Sequence, residues 1–279
     1  MSVPKTPFKH VVVMMFENRS FDSMLGFLHE NNVSATTNQP FEGLTGTESN
    51  PNKEGKQVPV FKIHSTDPHA YHMPRKDPGE GFANTNFQLF GAPEKPFPEG
   101  FTPNSGFVID FGHQINNHNP EKAEEAANAG LQIPKEYTQY APDIDGVQES
   151  DIMGVYTPES LPVLSHLAKH YAVCDHWYCS APTETLPNRA FTHFGTSDGN
   201  LYDEVHSYGG TSIFMHLANH GKSWGIFGNN GKPYTVGFCQ DIPSATAVKN
   251  GTTTTQSLPK NCKVGSFDDF VNALETKSL

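Results

Sequence analysis

The chain opens its ordered pattern with an unbroken apolar run, Val11–Phe16, preceded by Lys9 and His10 and stopped by Glu17. The run is rich in β-branched residues, of strand length, and uniform rather than alternating. It therefore predicts a strand over Lys9–Phe16, buried on both faces in a parallel sheet. Phe21–Leu28 follows as a short helix. From 31 to 145, Gly, Pro, Asn and Thr are scattered throughout, predicting a loop-rich insertion. Its exceptions are strands at Pro59–Ile63 and Gly106–Phe111, and a helix at Glu121–Ala129 whose charges form a solvated face.

Regular patterning returns after Gly146. Leu161, Leu164, Leu167, Ala168 and Tyr171 recur at helical spacing, with Pro158 and Pro162 confined to the start, where proline is tolerated. Tyr171–Trp177 reads as a strand. Ile213, Phe214, Leu217 and Ala218 mark a helix stopped by Gly221, and Trp224–Phe227 reads as a further strand. Ser266 and Asp269 form a capping signal ahead of a stripe of Phe267, Phe270, Val271 and Leu274. This alternation predicts a parallel α/β sheet. The last crossover helix reaches Leu279 without the strand it should lead to, so the unit reads as cut short. No internal repeat is visible.

Composition narrows the function more than the fold. A chain of 279 residues suffices for one large domain or two small ones, and 20 Phe beside 24 Gly and 22 Pro suit a packed core with long loops. The net charge of −11, with no offsetting basic stripe, argues against a nucleic-acid binder. No apolar run approaches the roughly 20 residues of a spanning helix. The start carries Pro4 and Pro7 and no long apolar stretch with a small-residue cleavage site, so it reads as a poor secretory signal and the default expectation is cytoplasmic. Cys174, Cys179, Cys239 and Cys262 form no CxxC pair. The first two read as small buried thiols around a strand end.

Two constellations carry candidate chemistry. Glu17 and Asn18 follow directly on the first predicted strand, and functional side chains of open α/β sheets gather beyond strand carboxyl ends. A carboxylate and an amide oxygen are hard donors able to hold a divalent metal, although Arg19 could instead pair with Asp22 and fix a turn. The second is Ser180–Arg189, where Thr185 precedes Pro187, a residue suited to a first helical turn. A hydroxyl there lies where backbone N–H groups and the helix dipole favour an anion, which eases alkoxide formation and phosphoryl binding. Taken alone, Thr185 reads as an ordinary N-cap.

Together these segments resemble the phosphoesterase family of bacterial phospholipases C, plant non-specific phospholipases C and related acid phosphatases. The opening signature is His10-Val-Val-Val-Met-Met-Phe-Glu-Asn-Arg-Ser-Phe-Asp22, followed by Gly26. The second is Leu161-Pro-Val-Leu164, Ala172-Val-Cys-Asp-His-Trp177, Thr185-Leu-Pro-Asn-Arg189 and Gly195-Thr-Ser197. Between them lie Asp77-Pro-Gly-Glu-Gly-Phe82 and Gln88-Leu-Phe-Gly91. The likeness spans essentially the whole chain but only the amino-terminal part of the family's catalytic domain. It implies an alkaline-phosphatase-like α/β/α sandwich with a mostly parallel central sheet. It also implies that Glu17 and Asn18 ligate a divalent metal ion, and that Thr185 attacks phosphorus to form a phosphothreonine. Asn188 and Arg189 are then motif support on the phosphate side.

Two departures qualify the transfer. Many relatives carry histidine after Asp-Pro-Gly, where this chain has Glu80, a carboxylate still able to act as acid or ligand. The family's later Asp-Glu-His-Gly-Gly-type and Ser-Arg-His-Asp-type runs, which supply further ligands and histidines, are absent from these 279 residues. His64, His69 and His72 read as surface histidines, and His176 and His193 as structural. The leading expectation is a hydrolase of phosphate esters, preferring phosphodiesters of the phospholipid type. The alternative is a catalytically incomplete fragment or pseudoenzyme that needs a separate carboxyl-terminal segment. A histidine-rich metal-binding module explains none of the matched runs.

Overall fold

The computed structural model describes residues 8–16, 19–91, 103–116, 146–204, 206–228, 233–243, 247–249, 252–254 and 257–276. It is a mixed α/β structure whose contacts divide into two units, Asn18–Thr183 and Met1–Glu17 with Glu184–Leu279.

In the 18–183 unit, α1 (Phe21–Leu25) starts where the Ser20 hydroxyl accepts from the Ser23 N–H at 3.2 Å. It buries Leu25 with Leu28 and Phe41, and Leu164, Ala168 and Val173 pack against them. Gly26 is required next: a Cβ there would lie 2.6 Å from the Asp22 carbonyl oxygen and 2.8 Å from Leu44 Cδ1. Strands β1 (Ser49–Pro51) and β2 (Gln57–Pro59) form an antiparallel pair. Strand β3 (Phe61–Ile63) runs parallel to β4 (Gly154–Tyr156). The predicted strand 59–63 is thus broken at Val60 and serves two sheets.

Helices α2 (Phe82–Phe90) and α3 (Phe107–Asn116) lie within the segment expected to be mostly loop. Helix α3 replaces the strand predicted at 106–111. Val108, Phe111 and Ile115 recur at helical spacing, and the first two are fully buried; reading only as far as Phe111 hid that period. The helix predicted at 121–129 lies outside the described residues. Helix α4 (Pro162–His170) begins with proline in its first turn, as expected. The strand predicted at 171–177 is absent: this stretch has no regular structure, and Tyr171 and Trp177 are exposed. Cys174 and Cys179 are exposed free thiols rather than buried ones.

In the other unit, α5 (Thr185–Phe194), α6 (Ile213–Asn219) and the short α7 (Tyr234–Phe238) surround a parallel pair, β5 (Trp224–Gly228) and β8 (Cys262–Ser266). Strands β6 (Ala247–Lys249) and β7 (Thr252–Thr254) pair antiparallel. Leu186, Ala190, Tyr208, Trp224, Ile226, Phe238, Cys239, Ile242 and Cys262 make the core. Helix α8 (Phe267–Glu275) opens with the predicted capping box of Ser266 and Asp269. The strand predicted at 9–16 is not formed. The run has no regular structure, and Val11, Val13 and Phe16 are exposed. A strand exists through its ladder of hydrogen bonds, and apolar composition does not supply a partner. Among the described residues the sheets are two-stranded, two parallel and two antiparallel. No helix among them is long and apolar enough to cross a membrane.

Candidate active site

Thr185 is the first residue of α5. Leu186, Pro187, Ala190 and His193 bury one face of this helix, which turns Thr185, Asn188 and Arg189 to the other. Residues three and four apart are neighbours on a helix surface, so these three side chains share one face. The helix start is braced twice. The Asn188 Nδ2 group donates to the Glu184 carbonyl at 3.0 Å. The Leu186 N–H donates to the Asp203 carboxylate at 2.6 Å, while the Glu184 carboxylate accepts from the Asp203 N–H. This reciprocal lock ties the turn of Thr185 to the loop 17 residues on, and Asp203 satisfies an amide that the helix itself leaves free. Arg189 Nη1 lies 3.0 Å from Met15 Sδ.

His193, on the buried face, packs against Phe214 and Phe238 with ring centroids 5.4 and 5.7 Å away. Its Nε2 is buried and finds no hydrogen-bond partner among the described residues. Burial pushes its pKa down to about 4, and the Arg189 guanidinium acts in the same direction. The imidazole is therefore neutral at ordinary pH, and it serves the core.

In the 18–183 unit, the runs around Glu80 and Gln88 are brought together. The Gln88 amide donates to the Gly79 carbonyl and to the Asp110 carboxylate, each at 2.7 Å, and Asn84 donates to the same carboxylate at 2.8 Å. Asp110 is buried on α3. A Cβ at Gly79 would lie 2.4 Å from Asn84 Nδ2, so glycine is needed for this approach. Glu80 is half-buried, and its carbonyl accepts from the Thr85 hydroxyl at 3.2 Å. Asp110 carries this arrangement and was missed in the sequence, because its segment was read as a strand.

Glu17 and Asn18 lie outside the described residues. Next to them, the Arg19 guanidinium sits 5.6 Å from the centre of the Tyr156 ring, whose hydroxyl donates to the Ala70 carbonyl. Burial raises the Tyr156 pKa, partly offset by the Arg19 charge. Among the described residues no three histidine, cysteine or carboxylate side chains converge as a metal site. His64, His69 and His72 are exposed, as expected, and make none. Glu17 and Asn18 alone offer fewer donors than a hard divalent cation takes.

The Thr185 hydroxyl at this braced helix start stands among the runs that resemble phosphoesterase signatures, and a family comparison defines the class. The Phosphoesterase family matches residues 8–279, and the chain belongs to that family. It is similar to Non-specific phospholipase C3 of Arabidopsis thaliana, 28% identical over 95% of this chain and 45% of that protein. Non-specific phospholipase C1 of the same plant is 31% identical over 80% of this chain and 35% of its own length. Phospholipase C A of Mycobacterium tuberculosis is 25% identical over 81% and 38%. The chain thus spans less than half the length of these relatives.

Proposed function

We propose that this chain carries the nucleophile of a phosphoester hydrolase that cleaves phosphodiesters of the phospholipid type, within an alkaline-phosphatase-like α/β/α sandwich. The observation that carries the reading is Thr185 at the first position of α5, with Asn188 and Arg189 on the same helix face. Helix-start amides and the dipole favour negative charge there, which suits both an alkoxide and a bound phosphoryl group. The Thr185 oxygen attacks phosphorus in line, the ester oxygen departs as the alcohol with the threonine proton, and a phosphothreonine remains. Water then attacks phosphorus, restoring the Thr185 hydroxyl and releasing the phosphate product. Arg189 provides positive charge for the phosphate side, and the Leu186–Asp203 contact holds the turn.

Glu17 and Asn18 would contribute two oxygen donors to a divalent ion that needs further ligands to complete its shell, and such an ion would polarise the phosphoryl oxygens when bound. The lipid preference is supported by the names of the plant and mycobacterial relatives. The test is hydrolysis of p-nitrophenyl phosphorylcholine and p-nitrophenyl phosphate by the purified 279-residue protein, with and without added divalent metals. Release of nitrophenol, faster from the diester, supports the reading. A folded protein that is silent on both esters contradicts it for this chain.

A further inference from the structure

The last turn of α4 carries two histidines one helical turn apart, His166 and His170, both exposed. Their rings stack with centroids 4.0 Å apart and planes 27° from parallel. His170 Nδ1 lies 2.8 Å from the His166 carbonyl oxygen. A carbonyl only accepts, so Nδ1 carries the proton and the neutral ring presents its lone pair at Nε2. A histidine that donates its other N–H to a backbone carbonyl is held in the tautomer and orientation that metal ligation uses. A histidine near a helix end commonly bonds a late carbonyl. What exceeds that role is the second imidazole laid on the first.

The sequence and the ring-to-carbonyl contact, though not the stacking, recur in the other unit. The sequence His166-Leu-Ala-Lys-His170 is echoed by His216-Leu-Ala-Asn-His220 at the end of α6, and both histidines there are exposed. His220 Nδ1 lies 2.8 Å from the His216 carbonyl oxygen, repeating the tautomer lock. Two imidazole nitrogens on one ion, each bonded at about 2.0–2.1 Å, stand no more than about 4 Å apart. The ring centroids on α4 stand 4.0 Å apart, a spacing of the same size, so tilting the rings toward each other can direct both nitrogens at a single ion.

We propose that His166 and His170 form a surface chelate for a borderline divalent cation such as Zn²⁺, Ni²⁺ or Cu²⁺, and that His216 and His220 form a second of the same kind. Imidazole nitrogen selects these ions over Mg²⁺ or Ca²⁺, which prefer the oxygen donors proposed at Glu17 and Asn18. The sites are therefore distinct from the proposed catalytic ion in ligand chemistry, and they do not rest on the phosphoesterase reading. Water completes the coordination.

The test uses the full 279-residue protein without a histidine tag, labelled with ¹⁵N at histidine, in a Cys174→Ser, Cys179→Ser background that removes the exposed thiols. Ni²⁺ is titrated at about pH 7.5 while imidazole resonances are followed by NMR. The expected result is broadening of His166, His170, His216 and His220 at metal levels about 10²-fold below those that broaden exposed His64, since a second donor on the same rigid turn acts intramolecularly. His170→Gln should remove the early broadening of His166 and leave the 216–220 pair unchanged. His166→Gln should do the same to His170, which guards against a folding defect in either variant. Uniform broadening across exposed histidines, or early broadening of His166 that survives in His170→Gln, would overturn the proposal.

Discussion

Acidification should destabilise the 184–279 unit through one residue, His193. Its ring is 7% exposed, wedged between Phe214 and Phe238, with Nε2 unpartnered among the described residues. Burial lowers its folded pKa from 6.5 to about 4. In the unfolded chain the imidazole takes up a proton below about 6.5, whereas the folded protein resists this until about pH 4. The unfolded state then binds more protons, so stability falls as pH drops through that window, and the contribution is fully present above it. The loss amounts to about 2 kcal/mol at about pH 5 and about 3 kcal/mol at about pH 4. Chemical denaturation at a series of pH values measures this, with fluorescence of the buried Trp224 as reporter. His193→Leu, which removes the titrating group at similar volume, should flatten the slope between about pH 6.5 and 4 relative to the parent. Equal pH slopes in the two proteins, or an NMR titration of His193 centred near 6.5 in the folded state, would refute the reasoning.

Three other outcomes are expected. Asp110→Ala strips the carboxylate from Asn84 and Gln88 and should cost about 1.5–3 kcal/mol in denaturant unfolding, because two half-buried amides lose a charged acceptor; a loss below about 0.5 kcal/mol would remove Asp110 from its structural role. A thiol reagent should label Cys174 and Cys179 quickly in the native protein, and Cys239 and Cys262 only on unfolding. Cys239 is buried with its thiol pushed up to about 12, so four fast thiols would contradict the structure. Glu17→Ala should abolish metal stimulation together with turnover, and unchanged metal content and rate would exclude Glu17 as a ligand.

What the sequence revealed and what it hid follow from the range of the interactions concerned. Helices α1, α4, α6 and α8 were legible because a 3.6-residue apolar period and a cap such as Ser266 with Asp269 are local signals. Strands depend on a partner distant in the chain. Trp224–Phe227 was legible and pairs with β8 some forty residues on, whereas Val11–Phe16 has the same apolar character and no ladder. The start of α5 at Thr185 was signalled by the proline two residues later. The Asp203 carboxylate that holds this turn gave no signal, because nothing in a loop acid's neighbours specifies the amide it will meet. Asp110 was hidden in the same way behind a misread period.

Transfer of the phosphoryl group to Thr185 is the step on which the proposed function turns. The most direct measurement is acid quench of the protein turning over p-nitrophenyl phosphate in the presence of divalent metal, followed by peptide mass mapping, with Thr185→Ala beside it. The expected result is a phosphoryl group on the peptide 185–189, absent in the variant, whose turnover is abolished while its fold is kept. Turnover at the parent rate in Thr185→Ala, or a phosphoryl group trapped on another residue, would contradict it.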